Sequence, residues 1–345
     1  MPFPRLIEIP NGVLMASTDL HGHWNAYAAL KDRFIAGRRD GTIDRWLLCG
    51  DLIHTSDGET ANDHSLAMIL DLMALQAEYG ADRVMMLCGN HEFMHIFPIP
   101  ISKGGIEFTP HFEACIADLD RHPQRGYRRA DVIRFLESLP LYAVTGAGVM
   151  FAHAGVAPQI NTPQAALRLL NLDFAAFNTD ADEMLMRYDL PDARTRYAQK
   201  MQYGSYDALV KRYLAVTDPT DPRYDHLLRA FVYNSDPTFA VLWEALFNRN
   251  EQELPNDMRR AIAYPKWVDQ FLQAVSAHVP HMPPQVLASG HIVVQGNHEV
   301  VDDFHLRFAS YEHARPREAG AYLLLDCARP VEDAEALAKL LRPTF

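Results

Sequence analysis

The sequence predicts an α/β fold with mixed strands, and three observations predict it. Several short apolar runs have no polar interruption, among them Trp46-Leu47-Leu48-Cys49 and Val84-Met85-Met86-Leu87. Such runs suit strands buried on both faces. Amphipathic stretches at helical spacing separate them, so strand, helix, strand, helix, strand reads as β-α-β units with right-handed crossovers. Finally, five of the apolar runs deliver an Asp, Asn or His at the carboxyl end, where ligands bind in open α/β sheets. A core needs none of these polar tips.

Taken in order, residues 1–12 are a lead-in whose Leu6-Ile7-Glu8-Ile9 suits an edge strand. The strand at 13–18 runs into Asp19-Leu20-His21-Gly22-His23. Residues 24–35 carry Tyr27, Leu30, Phe34 and Ile35 at helical spacing, and Gly37 and Gly41 bracket a polar turn. The strand at 46–49 stops at Gly50, where the backbone can turn sharply, and Asp51 follows. A polar loop at 55–64 leads to an amphipathic helix at 65–79. The strand at 83–88 runs into Gly89-Asn90-His91-Glu92. Residues 93–128 hold Pro98, Pro100, Gly104-Gly105 and Pro110 and read as a loop-rich insertion near the site. A helix at 131–139 ends at Pro140, and a hairpin at 141–152 delivers His153 from its second arm. Residues 160–264 are helical by periodicity, with breaks at Pro191, Asp218-Pro219, Asp221-Pro222 and Asp236-Pro237. They read as a helical cap inserted between two core strands. A helix at 267–279 leads to the strand at 285–289, which ends in Gly290-His291. Strands at 304–309 and 321–326 and a helix at 331–341 close the chain. Residues 1–345 thus read as a single domain with two insertions.

Composition narrows the function classes. The hydrophobic fraction is 48%, enough for a sizeable core. Net charge is -12, from 32 basic and 44 acidic residues, which argues against general nucleic-acid binding and against an anionic membrane surface. A phosphorylated substrate stays open, because bound metal ions make a site locally positive. Cys49, Cys88, Cys115 and Cys327 form no C-x-x-C pair and read as free thiols. The first residues show no basic stretch followed by a long apolar run, and no run of 18 apolar residues exists. The expectation is a cytoplasmic protein without signal peptide or transmembrane helix.

The order of the five tips is Asp19-x-His21, Gly50-Asp51, Gly89-Asn90-His91-Glu92, His153-x-Gly155 and Gly290-His291. It resembles that of the calcineurin-like metallophosphoesterases, and most closely the branch of serine/threonine phosphoprotein phosphatases and symmetrical diadenosine tetraphosphate hydrolases. The resemblance implies a four-layer α/β/β/α sandwich and a metal-dependent phosphoric ester hydrolase. It implies two divalent cations, of which Mn, Fe and Zn suit oxygen and imidazole ligands. Asp19 and His21 would hold the first ion, Asp51 would bridge both, and Asn90, His153 and His291 would hold the second. An anionic bridge offsets the repulsion of two cations about 3.5–4 Å apart. The implied reaction is attack of a metal-bridging hydroxide on a phosphomonoester or phosphoanhydride, with His91 as general acid for the leaving oxygen. Imidazole suits that role because its unperturbed pKa is near neutrality. Glu92 either orients its neighbours or is a helix-start carboxylate.

Two departures bear on the substrate. Phosphoprotein phosphatases usually follow Gly-Asp with an Asp-Arg pair that orients the acid histidine and clamps phosphate, whereas these offsets hold His54 and Thr55. A clamp arginine is also expected soon after a tryptophan in the insertion; after Trp243 the first is Arg249. Lost bidentate arginines weaken recognition of a terminal phosphate dianion. His54 and Arg249 are therefore the candidate substrate contacts, with His54 equally readable as a solvent-facing loop residue. His153-Ala154-Gly155-Val156-Ala157-Pro158 looks like a stretch of the diadenosine polyphosphate hydrolases, which makes nucleotide hydrolysis one alternative. A non-catalytic binding module on this fold is another. The expected partner is a phosphorylated small molecule, a nucleotide or a phosphoprotein. The second Gly-Asn-His-Glu, at 296–299, follows no apolar strand and reads as a turn. His95, His305 and His313 read as surface or loop residues.

Overall fold

The computed structural model describes residues 3–345, the side chain of Arg259 excepted, so the start of the expected lead-in lies outside it. Strand patterning decides the architecture. Leu14 and Ala16 belong to one apolar cluster and Met15 to another. Leu47 and Cys49 divide in the same way from Trp46 and Leu48, and Phe151 from Met150 and Ala152. Successive side chains of a strand point to opposite faces. Both faces are therefore buried, which is why these runs contain no polar residue.

Two sheets result. One has the order Leu341–Pro343, Ala321–Asp326, Val13–Ser17, Arg45–Leu48, Val84–Met86. The other has the order Leu6–Ile9, Tyr142–Thr145, Val149–Ala152, Val286–Ser289, His305–Phe308, His298–Asp302. They pack face to face through the cluster that contains Leu14, Leu47, Phe151 and Ala288. Helices Trp24–Asp40 and Ser65–Tyr79 cover the first sheet, with Tyr27, Phe34 and Met68 in the cluster of Trp46. Helix Met258–Ser276 covers the second, with Phe271 against Tyr142. This is the α/β/β/α sandwich that the resemblance implied. Val13–Ser17, Arg45–Leu48 and Val84–Met86 run parallel, as do Val149–Ala152 and Val286–Ser289. Their carboxyl ends meet at one rim.

The segment between Ala152 and Val286 is mainly helical. Helices Pro163–Leu170, Phe174–Leu185, Leu190–Lys200, Tyr206–Leu214 and Pro237–Phe247 start at Thr162, Asp173, Asp189, Ser205 and Asp236, whose side chains accept the free N–H groups of the first turn. Pro191 and Pro237 stand in first turns, so these breaks in the pattern are helix starts. Arg5, buried, ties this segment to the core: its guanidinium bonds the carbonyls of Leu139 and Leu172 and lies 3.4 Å from the Phe174 ring centroid.

Four boundaries differ from the expectations. Helix Trp24–Asp40 runs through Gly37 and stops only at Gly41, which adopts φ 70°. Gly37 serves close packing, since a Cβ there would lie 2.6 Å from Ile43. Residues 93–128 are not loop throughout: they hold most of helix Asn90–Ile96, a hairpin at Ser102–Lys103 and Ile106–Glu107, and helix Thr109–Asp118. The helix expected from 267 starts at Met258 and passes through Pro265, because Tyr264, Val268, Phe271 and Val275 keep one buried face that outweighs a lost N–H. The last helix is only Ala334–Ala338, and Leu341–Pro343 adds a strand.

Candidate metal centre

The rim is built from turns that ordinary residues avoid. Among the described residues nine non-glycines have positive φ, and five of them are here: Asp19 (49°), His21 (45°), Asp51 (52°), His54 (67°) and His291 (67°). Each left-handed residue costs on the order of 1–3 kcal/mol and persists only where its surroundings fix it. Here the turns brace one another. Leu20 and His21 donate their N–H groups to Asp51 O at 3.0 Å, and Gly22 N–H donates to Leu52 O at 2.8 Å. Glu92 resolves its two readings by doing both. Its carboxylate accepts from Gly89 N–H at the helix start and from the N–H groups of Asp51 (2.9 Å) and Leu52 (2.9 Å). Burial pushes its pKa up to about 7 even so. Gly290 serves close approach, because a Cβ there would collide with the Asp19 carboxylate.

The six expected ligands converge. His21 Nδ1 lies 2.9 Å from His54 O, and His153 Nδ1 lies 3.0 Å from Cys49 O. A carbonyl only accepts, so both rings carry their proton on Nδ1 and present a lone pair at Nε2. His153 Nε2 faces Asn90 Oδ1 at 2.8 Å, His291 Nδ1 at 3.1 Å and Asp51 Oδ2 at 3.4 Å. His21 Nε2 lies 3.5 Å from the same Asp51 Oδ2 and has no hydrogen-bond partner. Asp51 Oδ1 accepts His91 N–H at 3.0 Å, and Asp19 accepts His291 N–H with both oxygens at 3.0 and 3.1 Å. Lone pairs converge here with few protons among them, which is the arrangement that cations satisfy. Burial, reinforced by His313, lowers the His21 pKa to about 4. Burial likewise drives His291 well below its ordinary value. Neutral imidazole is the ligating form. Burial, with Glu92 and Asp19 nearby, raises Asp51 well above the carboxylate range, so the acidic cluster lacks positive charge. The donor set fits divalent cations.

His91 stands beside the ligands, its pKa driven well below the ordinary value by burial and then by neighbouring imidazoles. Its Nδ1 lies 2.9 Å from His54 Nδ1; His54 Nε2 lies 2.8 Å from His95 Nε2; His95 Nδ1 lies 2.7 Å from Glu113 Oε1. Burial would raise Glu113, but His95 and Arg129 hold it below its ordinary value. A carboxylate accepts the His95 proton, and that polarity passes along the chain. His95 then accepts from His54 and His54 from His91. His91 carries hydrogen at Nδ1, and Nε2 is left for the cavity that the ring lines.

His54 is thus not a solvent-facing residue, and both its ring nitrogens are engaged behind His91, where a phosphate contact is not on offer. Arg249 is exposed and bonds Gln252 Oε1 at 3.1 Å, and it lines a cavity of about 730 Å³ over the centre. Lys103, Phe108, Phe247 and Val293 share that lining. The second Gly-Asn-His-Glu lies on the edge strand His298–Asp302 and its approach, away from the centre. Sequence reasoning missed His95, Glu113 and His313. His95 stands one helical turn after His91, a spacing that places both on one face. For Glu113, and for His313 beside Asp19, no local pattern marks the placement.

Among solved structures, a protein serine/threonine phosphatase from Saccharomyces cerevisiae is 14% identical over 94% of this chain and 77% of its own, with a TM-score of 0.48. A cold-active protein-tyrosine phosphatase of a psychrophile, Shewanella sp., is 14% identical over 95% and 79%, with a TM-score of 0.42. A protein assigned as a diadenosine tetraphosphatase is 21% identical over 46% and 57%, with a TM-score of 0.28. No curated protein matches significantly. The family model described as calcineurin-like phosphoesterase matches residues 13–197, more than half of the chain and four of the five tips. With Asp19, His21, Asp51, Asn90 and His153 inside that match and gathered at one rim, the chain belongs to the calcineurin-like phosphoesterase family.

Proposed function

We propose that this chain hydrolyses a phosphomonoester or phosphoanhydride bond with two divalent cations at the rim and His91 as the acid. The observation that carries the reading is Asp51 Oδ2, 3.5 Å from His21 Nε2 and 3.4 Å from His153 Nε2: one oxygen between two lone-pair nitrogens. Asp19 and His21 would hold one cation, Asn90, His153 and His291 the other. When bound, the cations supply Lewis-acid stabilisation of phosphoryl charge and an activated water. His91, with its hydrogen on Nδ1, presents Nε2 to the cavity; to act as the acid it takes up a second proton there and passes it to the leaving oxygen, while His54, His95 and Glu113 fix the ring and its tautomer. Arg249 and Lys103 line the cavity and offer positive charge to a phosphorylated substrate. Mn, Fe and Zn suit the donor set. Free Cys49, Cys88 and Cys327, all buried, suit a reducing compartment such as the cytoplasm.

A second reading, hydrolysis of a nucleotide of the diadenosine polyphosphate type, is favoured by Phe108 and Phe247 in the cavity wall, where a base can stack. Rates on phosphopeptides, dinucleotides and phosphodiesters separate the substrate classes. Asp51→Asn tests the common mechanism. It should abolish turnover and lower the content of both metals. Two ions per chain with near-normal rates in this variant would reject the bridging assignment.

A further inference from the structure

His313 stands outside all five motifs, on the segment that follows strand His305–Phe308. That segment is fastened to the centre on three sides. Glu312 N–H donates to Asp19 O at 3.1 Å, Thr18 N–H to Ser310 Oγ at 3.0 Å, and Val294 N–H to His313 O at 2.9 Å. The buried Glu312 carboxylate accepts from Ser56 Oγ at 2.5 Å and Arg317 at 2.6 Å, which locks the turn. The His313 ring is thereby set beside Asp19, its side chain only 15% exposed.

Its Nδ1 lies 3.2 Å from Asp19 Oδ1, yet the atom has no hydrogen-bond partner. A salt bridge from a protonated ring would aim an N–H at the carboxylate. His21 Nε2, equally without a partner, converges on the same point, and one ligand atom from each of Asp19, His21 and His313 lies within 4.8 Å of the others. Two partnerless imidazole nitrogens and a carboxylate oxygen around one point make a cation site.

We infer that His313 ligates the first cation. Resting on the two-cation reading above, this gives that ion four protein ligands, Asp19, His21, Asp51 and His313. The second also has four, Asp51, Asn90, His153 and His291. A further imidazole takes a position otherwise left to water and favours Mn, Fe or Zn over Mg, which prefers oxygen. It adds no charge, so the site keeps its attraction for phosphate.

The test is metal stoichiometry and affinity of the purified full-length chain under chelator competition, for wild type, His313→Ala and His313→Phe. The phenylalanine variant keeps a planar ring without nitrogen and serves if the alanine variant fails to fold. Wild type should hold two Mn(II) ions and show their spin-coupled resonance signal. Either variant should hold one ion as before and the other at least about tenfold more weakly, with the signal of an isolated ion. Imidazole added to His313→Ala should restore the coupled signal. Two ions of unchanged affinity in both variants would overturn the ligation, leaving His313 a substrate-side group. A wild-type chain that takes up no ions would reject the proposed function itself.

Discussion

Asp51 and His91 are neighbours with separable work. The Asp51 carboxylate gives Oδ1 to the His91 backbone and Oδ2 to the point between His21 and His153. His91 gives its side chain to the cavity and to His54. His91→Ala should therefore keep both metals and slow turnover by roughly 100-fold or more, the usual contribution of a general acid. The loss should shrink for p-nitrophenyl esters, whose leaving group needs little protonation. Equal losses on alkyl and nitrophenyl esters would reject the acid role. Glu113 acts only through His95 and His54. Glu113→Gln keeps the size and an acceptor oxygen but removes the charge that sets the polarity of the chain. It should lower kcat to a level between wild type and His91→Ala, with KM and metal content unchanged. An unchanged kcat on alkyl esters would detach the relay from His91.

Each tip is a strand end followed by a turn, and the turns close because glycines at the tips, Gly50 and Gly290 among them, admit their neighbours. At Gly50, φ is 88°, and a Cβ would lie 2.7 Å from Gly89 Cα and 2.8 Å from His153 Nδ1. Gly126 has φ 81° with no atom within 4 Å of a Cβ. Gly50→Ala should thus destabilise the fold by about 2–4 kcal/mol through backbone strain plus overpacking, and Gly126→Ala by only about 1 kcal/mol through backbone strain. Urea unfolding of both variants measures the difference; equal losses would reject the close-approach argument. The tips could be read from the chain because a strand buried on both faces shows an unbroken apolar run, and the polar residue that ends it stands out. The same local logic hid the rest. Gly37 and Pro265 carry turn and breaker chemistry, but Ile43 packing and the buried face at Val268 and Phe271 decide their helices. The helix Thr109–Asp118 brings Glu113 to His95 by tertiary packing alone. His313 reaches Asp19 through a loop fastened across 294 residues of sequence, a placement no spacing encodes.

At the scale of the whole molecule, the centre lies between the ends of both sheets, so its buried ionisable groups bear on the stability of the sandwich. The His21 pKa in the folded chain is about 4, and burial holds His54, His91, His291 and His305 well below 6.5. Below about pH 6.5 an unfolded chain takes up protons that these folded imidazoles refuse. Stability is therefore fully present above that pH and falls as pH drops toward 4. For His21 alone, a fall from 6.5 to about 4 corresponds to about 3 kcal/mol. Asp51 and Glu92 act with the opposite sign in the metal-free chain, because their folded pKa values are raised, Glu92 to about 7. Their contribution is lost as pH rises through those values. His153, whose pKa burial also lowers, joins these imidazoles, and six histidines against two carboxylates leave a net loss on acidification. On the proposed ligation, bound cations would hold Asp51 ionised, remove its opposing contribution and require neutral imidazoles, so the loaded chain should show the steeper slope. The urea midpoint should fall between pH 6.5 and 5 without metal, and fall further per pH unit with Mn(II) bound. A midpoint that stays level or rises over that interval would mean that the rim imidazoles are not held neutral by the fold.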